Sequence, residues 1–113
     1  MSINGFESMT IHQLYPRWLT RSGNGKAFYL IDVRTPEEYA QGHVPGATLK
    51  PLDRLSQMTD DLPKQINLHL ICRSGIRSQQ AARILASQGF THLVNIDGGT
   101  MEWIKAGYPV EAL

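Results

Sequence analysis

The residues best suited to chemistry lie between Leu68 and Gln88, around Cys72, the only cysteine in the 113-residue chain. The residues before Cys72 have an apolar strand pattern, and those after the following turn have an amphipathic helix pattern. At such a junction, unpaired backbone N–H groups and the positive end of the helix dipole favour an anion. We therefore predict that Cys72 is a thiolate at neutral pH and acts as a nucleophile.

The turn that follows the cysteine contains side chains that suit an anion. Gly75 allows a positive φ, so that successive N–H groups can face one negative charge, while Ser74 and Ser78 add hydroxyl donors. We expect Ser78 to cap the helix. Arg73 and Arg77 oppose the helix dipole by a few tenths of a kcal/mol each unless an anion lies among them. Arginine binds oxyanions bidentately, which predicts an anionic substrate.

Other interpretations of the cysteine are less consistent with its surroundings. Most free cysteines are small buried hydrophobic residues, but an arginine-, serine- and glycine-containing loop favours a functional thiol. His69 lies three residues before Cys72 on the predicted strand, so the two side chains point to opposite faces and a papain-like Cys–His pair is not expected. One cysteine and four scattered histidines show no metal-ligand spacing, so we predict no metal site.

Composition limits the class of protein. The length predicts a single domain over residues 1–113, and a net charge of +1 gives no reason to expect nucleic acid or an anionic membrane as partner. No apolar run approaches the roughly 20 residues that span a bilayer, and the N-terminus has no signal-peptide pattern. A single cysteine cannot form an internal disulfide. We expect a cytoplasmic protein that is a monomer or a weak dimer.

Short apolar strands alternate with helices along the chain, which predicts an α/β domain with a parallel sheet. The predicted strands cover residues 27–33, 48–49, 68–72 and 93–96. Ligands of such sheets bind beyond the carboxyl ends of the strands, where Cys72 lies.

Five helices are predicted in addition to these strands. The first starts after Thr10, is kinked or split by Pro16, and is ended by Gly23-Asn24-Gly25. The second begins with Thr35, Pro36 and Glu38 and ends at Gly42, and the third covers residues 51–58. The fourth follows Cys72 and has Gly89 at its end, and the fifth covers residues 101–106 and is capped by Thr100.

Three patches resemble the rhodanese domains, the thiosulfate sulfurtransferases. Residues 72–78, Cys-Arg-Ser-Gly-Ile-Arg-Ser, are similar to the active-site loop of that family. Residues 30–39 with 42–47 resemble its N-terminal signature, and Asp97-Gly98-Gly99, Trp103 and residues 107–110 its C-terminal one. The patches occur in family order and span about Thr10 to Val110.

The resemblance implies a rhodanese-like fold, a small five-stranded parallel sheet with helices on both faces, with Cys72 at the bottom of a shallow pocket. Cys72 would take the outer sulfur of a donor anion such as thiosulfate and carry it as a persulfide, without any other cofactor. The acceptor would be cyanide in assays and a cellular thiol otherwise, for example that of a thioredoxin-like protein. The active-site loop would comprise Arg73, Ser74, Gly75, Ile76, Arg77 and Ser78.

The resemblance also suggests roles outside the loop. Asp32 and Arg34 follow a buried strand on the same face, and the family pattern implies that they pair and brace the loop. The alternative is that Asp32 only ends the strand and Arg34 is solvated. Glu37 and Glu38 are interpreted as helix-cap residues. The remaining positions in the matching patches are given structural roles: His43 at a turn, Gly98-Gly99 in a tight turn and Trp103 in the core.

Two other functions stay open. The chain could be a non-catalytic module that accepts persulfide sulfur from a partner and passes it on. It could also be a phosphatase or an arsenate reductase, but the related dual-specificity phosphatases have a loop one residue longer, with arginine six positions after cysteine. Arg77 is five positions after Cys72, which favours sulfur transfer.

Overall fold

A five-stranded, all-parallel sheet forms the centre of the protein, with the strand order β1-β5-β4-β2-β3. The computed structural model describes residues 5–23, 25 and 27–113. The strands are β1 (Glu7–Thr10), β2 (Tyr29–Asp32), β3 (Thr48–Leu49), β4 (Leu68–Ile71) and β5 (Leu93–Asp97). The helices are α1 (Ile11–Leu19), α2 (Pro36–Gln41), α3 (Arg77–Ser87) and α4 (Gly99–Lys105), with a 3-10 turn at Leu55–Gln57. The predicted α/β fold is confirmed.

Helices cover both faces of the sheet, because successive strand residues point to opposite sides. On one face, α3 and the 3-10 turn pack on β2, β4 and β5 through a cluster that includes Leu55, Ala81, Leu85, Ile31 and Leu70. On the other, α1 and α4 pack through a cluster that includes Leu14, Trp18, Trp103, Ile71 and Ile96. Each large buried side chain contributes about 1.5–3 kcal/mol of transfer free energy. The site therefore lies on a sheet that is held from both sides.

Strand β1 was not among the strands predicted from the sequence. Only Met9 of its four residues is buried, so the segment Glu7–Thr10 lacks the apolar run that marks the central strands. It is one of the two edge strands and pairs with β5 in the register Met9 to Ile96. The pairing depends on a segment far along the chain, which local composition does not show.

Helix α1 differs from prediction at Pro16 and at its end. Thr10 caps the helix, as predicted, and Gln13 completes a capping box. The helix continues through Pro16 as one element, so a split into two turns is wrong. Leu14 and Trp18, on either side of the proline, are both buried, which holds the helix on the sheet. It ends at Leu19 and not at Gly23-Asn24-Gly25, of which Asn24 lies outside the described residues.

Two further helix predictions are corrected. Residues 51–58 form turns and the short 3-10 segment in place of a helix, although Leu55 is fully buried as its position on the apolar face predicted. Thr100 does not cap α4: the helix begins at Gly99, after Gly98 in a left-handed conformation, and Thr100 is buried in the first turn. Glycine is favoured there over a side-chain cap because the backbone needs a positive φ.

Candidate active site

The cysteine loop connects the carboxyl end of β4 to α3 and folds closely around the sulfur. Cys72 directly follows β4 and is 1% exposed. The N–H of Gly75 donates a hydrogen bond to the sulfur over 3.1 Å. Gly75 has a φ of +103°, and an added Cβ would lie 3.3 Å from the nitrogen of Gly98. Glycine is therefore required both by the conformation of the loop and by the space around it.

The first turn of α4 holds the loop from the other side. The N–H of Thr100 donates to the carbonyl of Cys72 over 2.8 Å, and that of Met101 donates to the carbonyl of Arg73 over 3.0 Å. Gly99 approaches the loop so closely that an added Cβ would lie 2.6 Å from the Arg73 oxygen. Gly98-Gly99 thus serves a tight turn and close packing, as the sequence predicted. These hydrogen bonds and the close packing hold the loop backbone in place.

The surroundings of the sulfur favour its ionised form. Burial raises the pKa of Cys72, but hydrogen bonds outweigh it: the hydroxyl and N–H of Ser78, then the N–H groups of Gly75 and Ser74, lower the pKa below its ordinary value. The Ser78 oxygen lies 3.4 Å from the sulfur. This lowering of the pKa agrees with the predicted thiolate. The donor groups belong to the loop and to the first turn of α3.

Ser78 does not cap α3. The cap position is Ile76, without a side-chain hydrogen bond, and Ser78 is fully buried in the first turn of the helix. Its hydroxyl donates to Oδ1 of Asn95 over 2.5 Å, and Nδ2 of Asn95 donates to Oδ1 of Asp97 over 2.9 Å. Asn95 was not among the site residues predicted from the sequence. The available signal was a polar residue inside the apolar strand β5, close to its carboxyl end.

Arg77 has a protein partner that the sequence did not reveal. Its two terminal nitrogens bind the two carboxylate oxygens of Glu38 over 2.7 and 2.8 Å. The hydrogen bonds from Arg77 hold the pKa of Glu38 at about 2 against partial burial, with help from Thr35. Arg77 therefore has a carboxylate partner within the protein in addition to its electrostatic interaction with Cys72. Glu38 caps α2 as predicted and also compensates this charge.

Arg73 and Ile76 lie on the open side of the loop. Arg73 is exposed, and Ile76 is 65% exposed. Arg73 lines a cavity of about 460 Å³ together with residues of α2 and α4 and with Arg34. The exposed apolar side chains of Met101 and Ile104 lie along the same cavity. An anion or a thiol that approached the loop from this side would meet the cationic side chain of Arg73 and an apolar rim.

Asp32 and Arg34 form a buried pair at the end of β2. The Nη2 of Arg34 lies 2.7 Å from Oδ2 of Asp32, and Arg34 is 6% exposed, so the solvated alternative is wrong. Nη2 also donates to the carbonyl of Gly42 over 2.9 Å. The hydrogen bonds of the pair therefore extend to the residue that ends α2. Directly after β2, the N–H of Val33 donates to the carbonyl of Ile71 in β4 over 3.0 Å. The pair is thereby bonded to the end of α2, the helix that carries Glu38, and its predicted support of the loop stays a prediction.

The histidines have structural partners. His69 Nδ1 lies 2.8 Å from the carbonyl oxygen of Tyr29, and burial lowers the pKa of this imidazole. Its strand neighbour Ile71 belongs to the core cluster on the face opposite to that of Cys72. His43 stacks on Tyr39 with ring centroids 3.6 Å apart, which agrees with a structural role at the turn.

The described part of the chain contains no cluster of three or more His, Cys, Asp or Glu residues suited to a metal ion. Within residues 5–23, 25 and 27–113, no helix is long and apolar enough to cross a membrane.

Comparisons of the sequence and the fold with known proteins point to one family. The family model of the Rhodanese-like domain matches residues 16–106. A sulfurtransferase of Allochromatium vinosum is 39% identical over 83 residues, which cover 74% of this chain and 78% of that protein. A putative sulfur carrier protein of Bacillus subtilis is 36% identical over 66% of this chain and 40% of its own length. The crystal structure of a rhodanese-related protein from Thermoplasma volcanium has a TM-score of 0.81 at 27% identity, covering 96% of this chain and all of that chain.

Proposed function

The chain belongs to the rhodanese-like domain family, and on this premise we propose that it is a sulfurtransferase that carries sulfur as a persulfide on Cys72. The observation that carries the proposal is a buried sulfur that accepts the Gly75 N–H over 3.1 Å, in a loop that two N–H groups of α4 hold in place. A thiolate held this way is a nucleophile that needs no histidine base.

The reaction has two steps. The Cys72 thiolate attacks the outer sulfur of a donor such as thiosulfate, a bond forms between the two sulfurs, and sulfite leaves with the electron pair of the broken S–S bond. A nucleophilic acceptor then attacks the outer sulfur of the persulfide, and the Cys72 thiolate is regenerated. The directed N–H groups favour the anions at this position in both steps without moving. Neither step needs a cofactor.

The surface around the loop supports a thiol on a protein, such as a thioredoxin-like protein, as acceptor. Met101 and Ile104 are half exposed and line one cavity with Arg73, and Ile76, in the same loop as Arg73, is also exposed. Large exposed apolar side chains next to a reactive group are typical of a partner-binding surface. A free thiol as the working group also fits a reducing compartment, so we propose a cytoplasmic location.

Cyanolysis tests the proposal. After incubation with thiosulfate, the wild-type protein is expected to convert cyanide to thiocyanate, and intact mass measurement is expected to show one added sulfur that a reductant removes. Cys72→Ser, which is nearly isosteric in this buried position, is the matched control and should show neither. Equal thiocyanate formation by the two proteins would overturn the proposal.

A carrier role is the second candidate, because a relative of this chain is named a putative sulfur carrier protein. A carrier would form the same persulfide on Cys72 when a persulfide-bearing protein donates it, yet turn over free thiosulfate negligibly. Comparing the two donors by intact mass separates the candidates.

Phosphate-ester or arsenate chemistry is less favoured. Arg77, at the fifth position after the cysteine, is already bound bidentately by Glu38. Hydrolysis of an aryl phosphate that disappears in Cys72→Ser would revive that function.

A further inference from the structure

Ser78 is placed between two hydrogen-bond acceptors but has only one hydroxyl proton. Its oxygen lies 3.4 Å from the Cys72 sulfur and 2.5 Å from Oδ1 of Asn95. An amide oxygen only accepts, and a thiolate only accepts, so the two groups compete for the same proton once Cys72 is ionised. Ser78 and Asn95 are both fully buried, so water does not relieve the competition.

Asp97 decides which end of the Asn95 amide faces Ser78. A carboxylate accepts hydrogen bonds only, and its Oδ1 lies 2.9 Å from Nδ2 of Asn95. The amide nitrogen therefore points to Asp97, and the amide oxygen points to Ser78. If the amide turned over, its nitrogen would donate to the Ser78 oxygen and leave the hydroxyl proton entirely to the sulfur.

We propose that Asn95, oriented by Asp97, is a positioning residue that competes with the Cys72 sulfur for the hydroxyl proton of Ser78. The inference rests on the proposed function of Cys72 and adds a control on the reactivity of that thiol.

The position of this proton changes with the state of the sulfur. In the thiol, the S–H donates to the Ser78 oxygen and Ser78 donates to Asn95. When the thiol loses its proton to solvent, the Ser78 hydroxyl turns to the thiolate, and Asn95 Oδ1 loses its donor. In the persulfide, the negative charge lies on the outer sulfur, so the hydroxyl returns to Asn95. The network thus limits the stabilisation of the thiolate and favours passage to the persulfide.

Such a limit is useful to a nucleophile. The intrinsic nucleophilicity of a thiolate falls as its pKa falls, and the best attacking thiol has a pKa near the ambient pH. The buried loop already supplies the N–H donors of Ser74, Gly75 and Ser78. If the Ser78 hydroxyl donated only to the sulfur, a larger fraction of Cys72 would be ionised, but the thiolate would be a weaker nucleophile.

Charged groups on the elements around Cys72 act alongside this network. Arg77 of α3 interacts electrostatically with the cysteine and is compensated by Glu38 of α2. The Asp32–Arg34 pair lies at the end of β2, Arg73 lies in the loop, and Asp97 itself lies at the end of β5. A test must therefore separate the charge of Asp97 from its hydrogen bond.

The test is the rate at which iodoacetamide alkylates reduced Cys72 as a function of pH, which reports ionisation of the thiol. Asp97 is exposed, so Asp97→Ala is compatible with the fold. The substitution removes both the negative charge and the acceptor that orients the Asn95 amide; asparagine would not separate the two effects, because its own amide can turn and donate to Asn95. Loss of the charge lowers the midpoint whether or not Ser78 is present, whereas loss of the acceptor lets the Asn95 amide turn and lowers the midpoint by about a further half pH unit only when the Ser78 hydroxyl is present.

The Ser78→Ala background completes the test. Ser78→Ala alone is expected to raise the midpoint, since the sulfur loses a donor. In that background Asp97→Ala should lower the midpoint by about half a pH unit less than it does when Ser78 is present. Equal shifts by Asp97→Ala in the two backgrounds would overturn the proposal. Persulfide formation is measured separately by mass on the same proteins, so failure of the proposed function is seen independently of this result.

Discussion

Helices α2 and α3 both begin beyond the carboxyl end of a buried parallel strand, yet their first turns are bonded differently. At α2, Thr35 and Glu38 form a reciprocal capping box, Pro36 takes the first position, and two glutamates complement the dipole. At α3, no side chain caps the helix and the first turn has no acidic residue. The N–H groups in and before this turn are directed to the Cys72 sulfur.

The difference separates a helix start that stabilises the fold from one that stabilises an anion. A helix start without a side-chain cap is typically about 1 kcal/mol less stable than a capped one. At α3 the sulfur takes the place of the cap, so the start is better satisfied when Cys72 is ionised. The two starts are also connected, because Glu38 of the α2 cap binds Arg77 of α3. Three substitutions test this comparison.

Gly75→Ala is expected to have the largest effect, because it disturbs the α3 start directly. The residue has a φ of +103°, and its Cβ would press on the nitrogen of Gly98 at 3.3 Å, so we expect the strained loop to shift and the hydrogen bond from its N–H to the sulfur to be lost. We expect a sulfur-transfer rate about 100-fold lower, the scale for loss of one directed backbone donor, and a higher pKa of Cys72 from the pH profile of alkylation.

Gly107→Ala is the matched control. Gly107 also has a positive φ, +80°, but nothing lies within 4 Å of an added Cβ. It should lose roughly 1 kcal/mol of unfolding free energy with an unchanged transfer rate. Equal rates for the two variants would show that the α3 loop does not depend on its exact conformation.

Glu38→Gln tests the connection between the two helix starts. Glutamine also serves in a capping box, so the substitution removes mainly the charge that Arg77 binds. Folding lowers the pKa of Glu38 from 4.5 to about 2, so the ion pair stabilises the protein fully above pH 4.5 and loses this effect as the pH falls to 2. We expect wild type to exceed Glu38→Gln by about 1–2 kcal/mol at pH 7, a value reduced by partial exposure, and by nearly nothing at pH 2.

Chemical denaturation at several pH values measures this difference. A difference in unfolding free energy that stays constant between pH 7 and pH 2 would mean that the ion pair contributes no stability and that the introduced glutamine side chain disturbs packing instead.

The same connection shows where sequence analysis succeeds and where it stops. The α2 start was predictable because Thr35, Pro36 and Glu38 act within one turn. The sulfur environment was predictable in kind, because a strand, a cysteine, a glycine and a helix occur in immediate succession. The Glu38–Arg77 pair joins residues 39 positions apart, and no local pattern reports it.

Ser78 and Asn95 illustrate the limit most clearly. A serine near a predicted helix start is normally a cap, and this prediction was wrong because the side chain is buried against β5 and bonds to Asn95. The strand order places β5 beside β4, and that order is set by pairing between distant segments. Strand β1 was missed for the same reason. Most elements defined by their own residues were predicted, with the helix expected over residues 51–58 as an exception, whereas contacts defined by the sheet order were not.

Thr35→Ala, the mildest of the three changes, separates capping from support of the site. Its matched control is Thr10→Ala, since Thr10 forms an equivalent capping box at α1 with Gln13. Each substitution is expected to lower the unfolding free energy by about 1 kcal/mol. Only the Thr35 hydroxyl also contacts a carboxylate that binds the active-site helix, at 3.2 Å from Oε1 of Glu38. Thr35→Ala should therefore also slow sulfur transfer a few-fold, because Glu38 positions Arg77 less firmly, while Thr10→Ala should leave the rate unchanged. The rate of thiocyanate formation, compared at matched fractions of folded protein, measures this difference between the two variants. Equal rates would mean that the start of α2 contributes to stability and not to sulfur transfer.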